Sequence, residues 1–205
     1  MPSYKLTYFN SRGRGEIIRY LFALSDTPYE DLRLSSEEWA KQKAGSKAPF
    51  GQLPILEVDG KVLCQSNAIV AYLAKEFGFA GKTSNDVYKI YLVEGAVSDL
   101  ITKLVAAHFE ADEAIKADKQ KELTEKFIPT WLVAVEKVFQ EGGTSYFAGD
   151  SLTVGDLYFF FAAEYLKGAK EDVLQSFPGL NGLFDRIANN PKIKEWREKR
   201  PKTEF

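Results

Sequence analysis

The chain has 205 residues, 45% of them hydrophobic, with 27 basic against 29 acidic side chains and a formal net charge of −2. That length can bury a sizeable core and hold one or two domains, and the near balance of charge gives no reason to expect nucleic acid or an anionic membrane as a partner. A lone cysteine, Cys64, excludes an intramolecular disulfide. One histidine and one cysteine cannot build a zinc site of the usual kind within one chain.

Met1-Pro2-Ser3 leads straight into a strand pattern with no signal-peptide pattern, and no apolar run is longer than Leu157 to Ala163, which is far short of a membrane span. A cytoplasmic protein is the simplest expectation. Lys5 to Phe9 has the composition of a strand, and Glu16 to Leu24 places Ile17, Ile18, Leu21 and Leu24 at helical spacing. Asp26-Thr27-Pro28 breaks that helix. Tyr29 to Leu34 is a second strand pattern, and Ser36 is placed to cap a short helix through Lys43.

Pro49 to Ala68 is the most informative stretch. Ile55, Leu56 and Val58 form a short strand, Asp59-Gly60 is a strong two-residue hairpin signal, and Val62 to Cys64 return. Pro54 pushes Leu53 into extended backbone and, lacking an N–H, leaves a gap in the ladder. The Leu53 backbone is then open to pairing with a peptide-like ligand, and the Leu53–Pro54 bond is expected to be cis. Gln65 and Ser66 precede a helix over Asn67 to Phe77, with Ser66 placed as its N-cap. A helix N-terminus attracts a carboxylate or phosphate. Extended backbone beside an anion pocket fits a small anionic peptide.

Gly78 to Asn85 carries two glycines and small polar residues and marks a linker. Beyond it the patterns are helical: Asp86–Glu110, Asp118–Gln140, Val154–Leu166, Pro178–Asn189 and Pro191–Arg200. The mixed charges of Lys116 to Lys126 suit a solvated helix face. Thr153 and Asp156 form a capping box, with Leu152 able to staple to Leu157.

The hairpin block, together with Tyr4-Lys5-Leu6-Thr7-Tyr8-Phe9-Asn10, Arg12 to Arg19, Ser151 to Asp156 and Trp196 to Pro201, resembles the soluble glutathione transferases. The similarity is nearest to the sigma class, which includes the haematopoietic-type prostaglandin D synthases. It implies an α/β plus all-α chain. Residues 1–80 would form a thioredoxin-like glutathione-binding domain and 81–85 a linker. Residues 86–205 would form an all-helical domain contributing the electrophile pocket and dimer contacts. The implied activity is conjugation of the glutathione thiolate to small hydrophobic electrophiles. Peroxidase or prostaglandin-H to prostaglandin-D isomerase activity stands beside it. A non-catalytic relative, crystallin-like or carrying apolar ligands, is the alternative.

The resemblance also assigns residues. Tyr8, at the carboxyl end of the first strand, would be the catalytic hydroxyl, with Arg14 buttressing it and polarising the site. By spacing alone Tyr8 reads first as a core aromatic sharing a face with Tyr4 and Leu6, and the resemblance reverses that order. Trp39 and Lys43, four apart, would hold the glycine end of glutathione. Gly51, Gln52 and Leu53 would line its middle, and Gln65 and Ser66 would hold the γ-glutamyl carboxylate. Asp99 would reach the γ-glutamyl amine bound by the other subunit of a homodimer. Phe9, Arg12, Gly13, Ile101, Leu104, Tyr158, Phe161, Ala162 and the terminal Phe205 are the implied electrophile pocket. Ala106 stands where the prostaglandin synthases carry a large aromatic. Ser98 and Gly95 stand where they carry acidic residues that help bind a divalent cation. No metal is therefore expected.

Overall fold

The computed structural model describes residues 2–203. Two compact units are present: one takes in the chain to Phe79 and again from Asn189, the other runs Ala80–Ala188.

The first unit is built on four strands, β1 (Tyr4–Phe9), β2 (Glu30–Leu34), β3 (Ile55–Val58) and β4 (Lys61–Cys64), in the order β2-β1-β3-β4. β1 pairs parallel with β2, Tyr8 opposite Arg33, and antiparallel with β3, Leu6 opposite Leu56. The β3–β4 hairpin turns at Asp59 and Gly60, both at positive φ, as the Asp-Gly pair requires. The parallel β1–β2 pair needs a crossover, and α1 (Glu16–Ser25) supplies it. α1 packs against α3 (Ser66–Glu76). Leu6, Ile18, Leu21, Leu56, Ile69 and Leu73 have no exposed surface, and each such side chain contributes about 1.5–3 kcal/mol of burial.

Between β2 and β3 lies α2 (Ser36–Gln42), followed by a 3-10 turn at Lys43–Gly45. The cap is one residue earlier than expected. Ser35, not Ser36, accepts from the Glu38 N–H at 3.1 Å, while the Glu38 carboxylate accepts from the Ser35 N–H at 2.6 Å. The Ser-x-x-Glu spacing selects Ser35, because only from there does an acidic residue fall at the third helical position.

The second unit contains α4 (Ser84–His108), α5 (Glu113–Glu122), α6 (Ile128–Glu141), α7 (Val154–Ala169) and α8 (Pro178–Ala188), with a π turn, Leu123–Phe127, joining α5 to α6. Leu100, Phe159, Phe160, Leu180 and Leu183 fill its core. Two buried carboxylates organise the connections. Asp156 accepts from the N–H groups of Phe147 (2.8 Å) and Thr153 (2.7 Å) and from the Thr153 hydroxyl (2.9 Å). Glu136 accepts from the Gly179 and Leu180 N–H groups at 3.0 and 2.9 Å, capping α8 across 43 residues of sequence. Among the described residues no helix is long and apolar enough to cross a membrane.

α9 (Pro191–Lys199) departs from the expected division. Its sequence follows the helical run, yet it belongs to the first unit, where it packs on α1. The Trp196 indole N–H and the Arg200 guanidinium both donate to the buried Glu16 carboxylate.

Candidate active site

Tyr8 is the penultimate residue of β1 and is 8% exposed. The chain then turns through Asn10 to Arg12 into a 3-10 turn, Gly13–Gly15, and the backbone N–H of Arg14 donates to the Tyr8 hydroxyl oxygen at 3.0 Å. A phenol has one proton to give and two lone pairs to offer. The amide occupies a lone pair, so the proton stays available to a ligand acceptor. Burial pushes the Tyr8 pKa above its ordinary value of 10, against smaller downward pulls from the Arg14 amide, the Arg14 charge and Arg19. Tyr8 therefore enters neutral solution as a hydrogen-bond donor. Arg14 was expected to buttress Tyr8. Its main chain makes the contact, while its side chain is exposed and lines a depression with Gln52, Leu53, Gln65 and Ser66.

Gly13 and Gly15 explain why a Gly-Arg-Gly triplet follows the tyrosine. A Cβ on Gly13 would lie 2.7 Å from the Tyr8 hydroxyl oxygen, and one on Gly15 would lie 2.6 Å from Tyr8 Cδ1. Both are closer than real Cβ contacts allow. Sequence reading placed Gly13 in a pocket wall and gave Gly15 no role. The signal available was a glycine pair tightly spaced after a strand-end tyrosine. Gly15→Ala is expected to tilt the ring and cut kcat about tenfold, with the KM for glutathione changed less than about threefold. Steady-state kinetics checks this; wild-type turnover would show that the ring has room to spare.

On the other side of the depression the hairpin block behaves as its residues dictate. The Leu53–Pro54 bond is cis. The β1–β3 register ends at Ile55, so Leu53 stands outside the ladder. Gly51, at φ +58°, folds under Lys43: a Cβ there would meet Lys43 Cε at 3.1 Å. Lys43 itself continues from α2, its N–H bonded to the Trp39 carbonyl, with Trp39 half-buried. Trp39 and Lys43 thus keep their four-residue relation, although Lys43 belongs to the 3-10 turn.

The N-terminus of α3 corrects a further expectation. Ser66 is the first helical residue and not the cap; Gln65 takes the cap position at φ 68° and ψ 113° and makes no side-chain capping bond. By contrast α2, α4, α5 and α9 all start with a side chain on their first N–H groups. A positive φ at a residue other than glycine costs free energy, and such strain gathers at ligand sites. Nothing in the side-chain pattern announces it. The first turn of α3 is therefore turned toward the depression with its macrodipole uncapped by Gln65, which suits a carboxylate.

In the second unit Asp99 is exposed on α4, where its charge, after burial, helps push the Glu94 carboxyl above its ordinary value. Ile101, Leu104 and Phe161 are half-buried, Tyr158 and Ala162 are buried, and Ala162 has no exposed surface. Phe9, Arg12 and Gly13 are half-buried in the first unit. Phe205 lies outside the described residues. No cluster of three or more His, Cys, Asp or Glu able to hold a metal occurs among the described residues.

The first unit is a thioredoxin-like domain that carries Tyr8 near the end of β1, Leu53 outside the ladder and Gln65 at the start of α3. Residues 4–75 match the glutathione S-transferase N-terminal domain and residues 98–200 the glutathione S-transferase C-terminal domain. S-crystallin 4 of Enteroctopus dofleini is 34% identical, with both chains covered in full. The solved prostaglandin synthase D of Nilaparvata lugens is 36% identical at a TM-score of 0.89, covering 98% of this chain and 100% of that one. A monomeric glutathione S-transferase, Na-GST-3 of the hookworm Necator americanus, is 37% identical at a TM-score of 0.87, covering 99% of this chain and 100% of that one. The chain belongs to the glutathione S-transferase family. It is a glutathione transferase, with glutathione as its co-substrate.

Proposed function

We propose that this enzyme ionises glutathione with the Tyr8 hydroxyl and transfers the thiolate to small hydrophobic electrophiles in the cytoplasm. The observation that carries the reading is the Arg14 amide on the Tyr8 oxygen, which leaves the phenolic proton for the sulfur. Trp39, Lys43, Gly51, Gln52 and the Leu53 backbone hold the cysteinyl-glycine part of the peptide. Gln65 and Ser66, at the N-terminal end of α3, hold the γ-glutamyl carboxylate, with the exposed Arg14 side chain adding positive charge. In the first unit Phe9, Arg12 and Gly13 take the electrophile. In this reading the first unit, α9 included, holds the peptide.

The test is an assay of purified protein with glutathione against a model aryl halide, an organic hydroperoxide and a prostaglandin endoperoxide. Turnover of the aryl halide is the expected result. The S-crystallin relative favours a second reading, a non-catalytic protein, and absence of turnover with all three would select it. Isomerase activity would show in the endoperoxide arm, and the Nilaparvata relative, called a prostaglandin synthase, is the reason to include it.

A homodimer completes the proposal. Tyr88, Tyr91 and Leu92 are 62%, 54% and 39% exposed along α4, and Phe50 is 66% exposed in the first unit. Exposed aromatics in this number suit a subunit interface. Asp99 would meet the glutathione amine of the partner site, so Asp99→Asn is expected to raise the KM for glutathione about tenfold, the size of one charge-assisted contact. In a mixed dimer of one Tyr8→Phe chain and one Asp99→Asn chain, one site would carry both lesions and the other none. Activity near half of wild type at limiting glutathione is expected. Because one relative is described as monomeric, sedimentation at micromolar concentration comes first, and a monomer would reject the shared site.

A further inference from the structure

Tyr8 is held by two handles: the Arg14 amide on its oxygen and the Arg19 guanidinium, whose central carbon lies 5.8 Å from the ring centroid. Arg19 has no exposed surface, and neither does Glu16 one helical turn before it. Burying a charge pair is expensive unless each member is fully engaged. Here every side-chain polar atom of the pair is engaged except Arg19 Nη2, which is buried without a hydrogen-bond partner among the described residues. Arg19 Nη1 donates to the Ser11 carbonyl at 2.7 Å and to Glu16 Oε2 at 3.2 Å, and reaches the Arg12 carbonyl at 3.5 Å. Arg19 Nε pairs with Asp31 on β2 at 3.2 Å. The other Glu16 oxygen, Oε1, accepts from Trp196 Nε1 and from Arg200 Nη1, each at 2.8 Å. Arg200 also donates to the Tyr20 hydroxyl at 2.9 Å.

Followed in order, these contacts run from the carboxyl-terminal segment to the reacting group. Trp196 and Arg200 orient Glu16, and Glu16 orients Arg19. Arg19 holds the carbonyls of Ser11 and Arg12, immediately before the Gly13–Gly15 turn whose amide grips the Tyr8 oxygen. We propose that Glu16 and Arg19 are positioning residues for the Tyr8 hydroxyl, and that Trp196 and Arg200 set their orientation, so that the end of the chain controls the strength of the hydrogen bond Tyr8 gives to the glutathione thiolate. The proposal rests on Tyr8 acting on that thiolate. It gives Trp196 to Arg200 a role in the chemistry although none of these residues touches the depression.

α9 has a second attachment that makes a control. Lys192 pairs with the Asp26 carboxylate and reaches the Leu24 carbonyl at 3.4 Å, without contact to Glu16. The experiment titrates the ultraviolet thiolate absorbance of glutathione bound to wild type, Arg200→Met, Arg200→Lys, Lys192→Ala and Tyr8→Phe, with kcat, KM and melting temperature for each. Arg200→Met is expected to raise the bound thiol pKa by about half a unit or more and lower kcat several-fold, with the KM for glutathione changed less than twofold. Arg200→Lys should recover part of both. Lys192→Ala should lower the melting temperature and leave the thiol pKa in place. Trp196→Phe, which removes only one donor to Glu16, gives the same readout should Arg200→Met not fold. An unchanged thiol pKa in the Arg200 or Trp196 variant, or an equal shift in Lys192→Ala, overturns the coupling. Tyr8→Phe separates the two levels: if it moves the thiol pKa and Arg200→Met does not, the coupling alone falls. If Tyr8→Phe moves nothing, the role of Tyr8 falls with it.

Discussion

Tyr8→Phe is expected to lower kcat/KM for conjugation at neutral pH by about tenfold to a hundredfold, the rate equivalent of the ~1.5–3 kcal/mol carried by a hydrogen bond to a charged partner. Glutathione affinity should stay within a few-fold, because the contacts assigned to the peptide lie along Trp39, Lys43 and the hairpin. The loss has two parts. A thiol that starts near ~8.5 and is lowered by about two units goes from roughly 3% to 75% ionised at pH 7. Lower basicity returns about sevenfold to tenfold of that gain, taking a Brønsted slope of ~0.4–0.5. Ionisation alone therefore contributes only a few-fold, and most of the effect comes from holding the sulfur in line with its electrophile. The deficit should accordingly shrink, without vanishing, as the pH rises above the free thiol pKa and the mutant's glutathione ionises unaided. Tyr8 itself, raised above 10 by burial, adds no ionisation to the neutral part of the wild-type profile. Kinetics of both proteins across pH 6 to 9 checks each point. A deficit that stays constant over that range would assign the hydroxyl to orientation alone.

Asp156→Ala is expected to be the most damaging single change to stability. The carboxylate takes three donors in a fully buried setting, from Phe147 and twice from Thr153. Alanine leaves all three without a partner in the dry interior of the second unit. Each buried unsatisfied donor costs about 1–3 kcal/mol, so a loss of roughly 3–5 kcal/mol is expected after partial relaxation. At about 2–4 °C per kcal/mol for a chain of this size, the melting temperature should drop by roughly 10 °C. Denaturant or thermal unfolding at fixed glutathione concentration measures it. The folded fraction should keep its thiol chemistry, since Asp156 belongs to the second unit and Tyr8 to the first. A shift under about 1 kcal/mol would mean that water replaces the carboxylate.

The strands and the Asp59-Gly60 turn were legible because each rests on a local rule: alternation, and positive φ at a hairpin. Helix bodies with apolar periodicity were legible for the same reason. The cis bond at Leu53–Pro54 rests on no local rule, since most X–Pro bonds are trans; it was expected from the proline before the strand together with a peptide-like ligand. Caps were read less well. Ser36 and Ser66 were each chosen for lying beside a helix. The structure prefers Ser35 for its partner three residues on, and a strained Gln65 that makes no side-chain cap. α5 begins at Glu113, well before the expected Asp118, because Asp112 caps a polar first turn that carries no periodicity. The Thr83-x-x-Asp86 box that starts α4 was visible as a pattern, yet it was absorbed into the linker. What local rules could not carry was anything joined over long sequence distance. Glu16 and Trp196 are 180 residues apart, and nothing in either neighbourhood announces the other. The same holds for Glu136 capping α8. Tyr8 is the instructive case: spacing alone favoured a core aromatic, and only the family resemblance made it a hydroxyl donor. The Arg14 amide on its oxygen and the two glycines beside its ring support the donor reading, which the thiolate titration tests.

The ionisation of bound glutathione tests the central claim most directly. The binary complex of wild type with glutathione should show thiolate absorbance rising with a midpoint one to two pH units below that of free glutathione, whose thiol lies near ~8.5. In the Tyr8→Phe complex, saturated to the same degree, the midpoint should return close to the free value. A wild-type midpoint equal to that of free glutathione, or a lowered midpoint that survives in Tyr8→Phe, would contradict the assignment of the Tyr8 hydroxyl as the group that holds the thiolate.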